Sequence, residues 1–133
     1  MATKKALVID DQEPILHICS ELLRKEGFNV VTAKSGMGAF EQFYQQSFDL
    51  VITSLAMKAG TGFTVLGMIR ALSPRIPVIV VTEEGCSIAY QFLPLLGTCA
   101  FISKPCSGDI LASCINSPPI NGINDSAPIL EAL

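Results

Sequence analysis

With 133 residues, 50% of them hydrophobic and 16% charged, the chain suits a single domain with a substantial apolar core. Nine Lys and Arg against twelve Asp and Glu leave a formal charge of −3, which provides no clustered basic footprint for nucleic acid. The five cysteines, Cys19, Cys86, Cys99, Cys106 and Cys114, are odd in number with no CxxC pair, and the longest early apolar run, residues 6–9, is too short for a signal peptide or membrane span; a cytoplasmic protein with reduced thiols is expected.

Residues 6–9, Ala-Leu-Val-Ile, read as a buried strand that stops at Asp10-Asp11. Pro14 fits the first turn of a following helix, where its missing N–H does no harm. Ile15, Leu16, Ile18, Cys19, Leu22 and Leu23 keep a helical apolar stripe, which Gly27 ends. His17 lies among them without a ligand set and reads as a surface or packing residue. Residues 28–33 form the second predicted strand. Ser35 is placed to cap a helix running to about Gln46, with Phe40, Phe43 and Tyr44 on its core face.

Residues 48–53, FDLVIT, are short, apolar and β-branched, as a buried strand requires, and Ser54 sits at its end. The small, Gly-rich stretch that follows reads as a loop, leading to a third helix over 63–72. Residues 77–82 make a fourth strand, apolar on both faces, as a strand covered by helices on both sides should be. Residues 83–97 predict a helix shortened or kinked by Pro94. It is unusually apolar, with Ile88, Tyr90, Phe92, Leu93, Leu95 and Leu96. A fifth strand over 99–103 precedes Lys104-Pro105, and a last helix runs from about Ser107 to Ile115. Residues 117–133 are rich in Pro, Asn, Gly and Ser and read as a linker or C-terminal tail behind a domain spanning 1–116. Within it Ile129, Leu130 and Leu133 are expected to dock on an apolar surface, of this molecule or a neighbour. Residues 118–127 also suit a linker to an output domain beyond Leu133.

Strand and helix patterns alternate about five times, which argues for a doubly wound α/β fold with a parallel sheet. Such sheets collect their chemistry at the carboxyl ends of the strands. Four predicted strands end there in polar residues: Asp10-Asp11, Ser54, Thr82 and Lys104.

With VIDD at 8–11, FDLVITS at 48–54, VIVVTE at 78–83 and FISKP at 101–105, the chain resembles the receiver domain of bacterial response regulators. The likeness runs from residue 4 to about 115. It implies a flavodoxin-like, CheY-like sheet of five parallel strands in the order 2-1-3-4-5, with the site at its switch point. It further implies Mg²⁺ at the acidic pair Asp10 and Asp11, a phosphate-contacting hydroxyl at Thr82, a phosphate-pairing cation at Lys104 and a switch aromatic at Phe101. At the position of the family's phosphate-accepting carboxylate stands Ser54. A carboxylate attacks phosphorus with no proton to lose, whereas a hydroxyl needs a base, and the sequence offers none beside it. The Pro that follows the acceptor in the family is replaced by Lys58, and Glu83 stands where a small residue is common.

These departures predict weak or vestigial Mg²⁺ binding at Asp10 and Asp11 and no catalytic residue. An alternative for the strand ends is a plain ion pair between Asp10 and Lys104. The expected function is a receiver-like signalling module that is not an enzyme and meets a sensor kinase or a downstream effector by protein contact. Nucleic acid and membrane are not expected partners; a homodimer fits the same scheme. Tyr90, Phe92, Leu93 and Leu96 are its expected interface. Two other functions compete: a phosphorelay receiver still phosphorylated, on Ser54 or by a dedicated kinase, and a small phosphatase using Asp10 or Asp11 as nucleophile.

Overall fold

The computed structural model describes residues 4–54, 56–57, 60–83 and 100–104; for 56–57, 60–63, 82–83 and 100–104 the description is of the backbone. The tail 117–133, the helices expected over 83–97 and near 107–115, Lys58, and Cys86, Cys99, Cys106 and Cys114 lie outside the described residues, Glu83 excepted.

Alternating apolar strands and amphipathic helices fold in chain order as β1 (Lys5–Ile9), α1 (Glu13–Lys25), β2 (Asn29–Ala33), α2 (Gly36–Gln45) and β3 (Leu50–Thr53). Two short strands, β4 (Ala56–Met57) and β5 (Gly60–Thr61), precede α3 (Gly62–Leu72), β6 (Val78–Glu83) and β7 (Ala100–Lys104). The main sheet has the order β2-β1-β3-β6-β7, and every neighbouring pair in it is parallel.

Strand periodicity divides the core between the two faces of this sheet. Leu7, Ile9, Val51, Val78 and Val80 join Ala39 of α2 and Val65, Leu66 and Ile69 of α3. Ala6, Val8, Leu50, Ile52, Ile79 and Val81 join Leu16, Cys19 and Leu23 of α1. Residues 78–81 are buried throughout, as the two-sided apolar pattern predicts.

Local chemistry sets the element ends. Pro14 lies in the first turn of α1. The helix closes with a doubled C-terminal cap, Gly27 N–H to the Arg24 carbonyl and Phe28 N–H to the Leu23 carbonyl, both 3.0 Å. Gly27 has φ 92°, which a Cβ would strain, and Phe28 packs into the cluster that holds Leu23. Ser35 caps α2 by accepting the Gly38 N–H at 3.0 Å. At the opposite edge of the sheet Asp49 fastens β3 to β1: its Oδ2 accepts the Lys5 N–H at 2.8 Å and its own N–H reaches the Lys5 carbonyl at 2.7 Å.

Three expectations need correction. The stretch after Ser54 is not wholly loop: Ala56 pairs with Thr61 and Met57 with Gly60 in a small antiparallel ladder. Ile18 is exposed and Ser20 is buried, so α1 is rotated relative to the stripe read from apolar residues alone. The core face of α2 is Ala39, with Phe43 packed against the cluster, while Phe40 and Tyr44 stack on each other 6.1 Å apart, with Tyr44 75% exposed. The small Ala39 lets the helix lie close to the sheet and turns its larger rings outward.

Candidate functional site

The parallel register decides which strand ends meet. Ile9 pairs with both Ala33 and Thr53, and Thr53 also pairs with Val80. Asp10 and Ser54 therefore follow side by side at the carboxyl edge, on the two adjacent strands at the centre of the fold. The chain locks them there: Ser54 N–H donates to the Ile9 carbonyl at 3.0 Å, and Asp10 N–H to the Ala33 carbonyl at 3.1 Å.

Both side chains are shut away from solvent, Asp10 at 2% and Ser54 at 1% exposure. A buried carboxylate needs donors. Asp10 Oδ1 accepts the Gln12 N–H at 2.9 Å, which holds the turn into α1. Thr53 Oγ1 donates to the Ser54 carbonyl at 3.2 Å. Asp11 is half-buried beside them. Outside this group Lys34 Nζ pairs with Glu13 Oε1, tying the end of β2 to the first turn of α1. The sequence contained no signal for that pair, because the two residues lie at opposite ends of the α1–β2 unit and meet only when it folds back along the sheet.

The other two strand ends arrive by backbone register. Val80 pairs with Phe101, Thr82 with Ser103 and Glu83 with Lys104. Thr82 thus stands two residues past the level of Thr53, and Lys104 lies at the rim opposite Glu83. The side chains of Thr82, Phe101 and Lys104 lie outside the described residues, as do Tyr90, Phe92, Leu93 and Leu96 altogether.

For a magnesium ion the donor chemistry fits in part. Mg²⁺ takes oxygen ligands and uses one or two carboxylates with water. Asp10 and Asp11 are carboxylates at one strand end, but one Asp10 oxygen already serves the Gln12 N–H. Ser54 offers a neutral oxygen in place of a third charge.

A parallel α/β sheet with acidic, hydroxyl and lysine residues gathered at its carboxyl edge is matched by one family model, the response regulator receiver domain, over residues 6–116. The chain belongs to that family. The transcriptional regulatory protein ZraR of Escherichia coli strain K12 is 43% identical over 110 residues, which cover 82% of this chain and 25% of that protein. A receiver domain protein from Clostridium thermocellum superposes with a TM-score of 0.78 at 31% identity, over 85% of this chain and 91% of that one. Chemotaxis regulator CheY4 of Vibrio cholerae gives 0.78 at 25% identity, over 86% of this chain and 98% of that one. This receiver spans about a quarter of the length of the curated relatives it matches. Among the described residues no helix is long and apolar enough to cross a membrane.

Proposed function

We propose that this receiver carries its signal by protein contact, with its acceptor position chemically idle. One observation carries the reading: at the end of β3, beside the buried Asp10, stands Ser54, a neutral alcohol at 1% exposure. An aspartate there is an anion and attacks phosphorus directly; the serine must lose a proton in a site closed to water. Burial also disfavours a protein kinase as the source of a phosphoserine, since such an enzyme must reach the hydroxyl from outside.

In this reading the main-sheet strands follow the flavodoxin-like order 2-1-3-4-5, and the switch point holds a vestigial site. Asp10 and Asp11 hold Mg²⁺ weakly, Thr82 and Lys104 have no phosphate to grasp, and Phe101 has no chemical event to report. The module is not an enzyme, works in the cytoplasm and meets a sensor kinase or a downstream effector. Its similarity to proteins named as transcriptional regulators supports an output in gene control, exerted through other proteins or a partner domain.

The test is incubation with a small phosphodonor and Mg²⁺, read by intact mass. The expected outcome is an unchanged mass. A stoichiometric, acid-labile phosphate would overturn the proposal.

A further inference from the structure

The carboxyl edge carries one acid that neither the acceptor position nor the magnesium pair accounts for. Glu83 closes β6, and the parallel register sets it against Lys104, the last residue of β7. Strand alternation places both relative to the site. Val8, Ile52, Ile79 and Val81 belong to the α1 face of the sheet. Two residues further along each strand come Asp10, Ser54 and Glu83, on that same face, and Lys104 shares it as the register partner of Glu83. Four residues with reactive or charged groups thus occupy one edge and one face, on strands that neighbour one another in the order β1, β3, β6, β7.

Spacing selects the acid that meets the lysine. Neighbouring strands lie about 4.8 Å apart, so the backbone of Glu83 is about 5 Å from that of Lys104, while Ser54 is roughly 10 Å away across two strand spacings and Asp10 roughly 14 Å across three. Thr53 pairs with Val80, so Ser54 also stops two residues, about 6.6 Å, short of the level of Glu83 and Lys104. Attraction between charges falls with separation, which favours Glu83. The other acids at this edge have nearer tasks: Asp10 Oδ1 accepts the Gln12 N–H, and Glu13 pairs with Lys34. We infer that Glu83 is the counter-charge of Lys104, supplying the negative charge that Ser54 does not, and that it repels phosphoryl anions from the rim. This rests on the reading of an idle acceptor position and gives it a second cause. A carboxylate restored at position 54 would still find the lysine engaged and the rim negative.

Two measurements test the inference. In the full chain with Ser54 in place, nuclear magnetic resonance follows the titration of the Lys104 ammonium. Glu83→Gln should lower its midpoint by about half a unit or more, and added salt should shrink the difference. Glu83→Asp, which keeps the charge, should stay near the parent. An unchanged midpoint in Glu83→Gln would overturn the inference, and so would equal midpoints in Glu83→Gln and Glu83→Asp, which would assign the effect to shape. The second measurement uses the Ser54→Asp background with acetyl phosphate and Mg²⁺. Adding Glu83→Gln should raise the rate at which acid-labile phosphate appears by about three- to tenfold at low salt. A rate equal to or below that of Ser54→Asp alone would overturn the inference. Failure of the idle-acceptor reading shows elsewhere, as phosphate on the parent chain, so the two failures are distinct.

Discussion

At the scale of single residues, Asp10 and Ser54 set the chemistry and Gly27 sets the backbone. Replacing Ser54 by Asp would put a second carboxylate beside Asp10 in a space nearly closed to water. Like charges in such a space repel strongly, so Ser54→Asp is expected to lose about 1–3 kcal/mol of stability without a divalent cation. Mg²⁺ should restore much of that loss, and the variant should gain an acid-labile phosphate from a small phosphodonor. Thermal melts with and without Mg²⁺, beside the phosphodonor assay, check both parts; a variant as stable as the parent in metal-free buffer would mean that the pocket already holds enough positive charge. Gly27→Ala forces a Cβ into the left-handed region at φ 92° and should cost about 1–2 kcal/mol in denaturant unfolding. The importance of Gly27 was legible from its place at the end of an apolar stripe, and that of Ser54 from its place at the end of a β-branched run. Ser20 was not legible. Its hydroxyl is buried with no partner among the described residues, and nothing in a Ser between Cys19 and Glu21 reports which way the helix is turned.

At the scale of elements, the strands were legible and the helix faces less so, for a physical reason. A strand buried on both sides needs every residue apolar, so 78–81 announce themselves whatever the register. A helix is apolar on part of its surface only, and in α2 a single charge, Glu41, leaves several faces that look alike. Packing settles the matter through Ala39, whose small side chain admits close approach. The α3 terminus shows a different kind of hidden signal. Arg70 Nη1 reaches the carbonyls of Ser73, Pro74 and Ile76 at 3.4, 3.1 and 2.7 Å. One cation thus collects three acceptors where the helix ends and the chain turns toward β6. Arg70→Ala leaves those carbonyls to water and is expected to destabilise the fold by about 1–2 kcal/mol. Arg70→Lys should recover only part of it, since a lysine ammonium lacks the planar fork of the guanidinium. Urea midpoints for the two variants check the order; equal midpoints would show that the turn holds without its cation.

At the scale of the whole molecule, the carboxyl edge was readable because three of the four polar strand ends carry the family's residue types and the fourth, Ser54, falls in register with them, while the ladder at Ala56–Met57 and Gly60–Thr61 was not, since small residues suit loop and hairpin alike. The sheet itself makes a last prediction. Its middle is sealed: Val51 is wholly buried and donates to the Pro77 carbonyl at 3.0 Å, so its amide opens only when the molecule unfolds. β2 stands at one end of the sheet. Asn29 donates to the Lys4 carbonyl at 2.8 Å, so by strand alternation the Val30 and Thr32 amides face away from β1. The strand, Asn-Val-Val-Thr-Ala, also lacks the charge or proline that commonly blunts an edge. Hydrogen exchange should therefore be slow and denaturant-dependent at Val51 and fast and denaturant-independent at Val30 and Thr32. If Val30 and Thr32 prove as protected as Val51, something covers that edge in solution. Dilution then identifies the cover: protection lost on dilution marks a strand from a second copy, and protection kept marks a segment of the same chain.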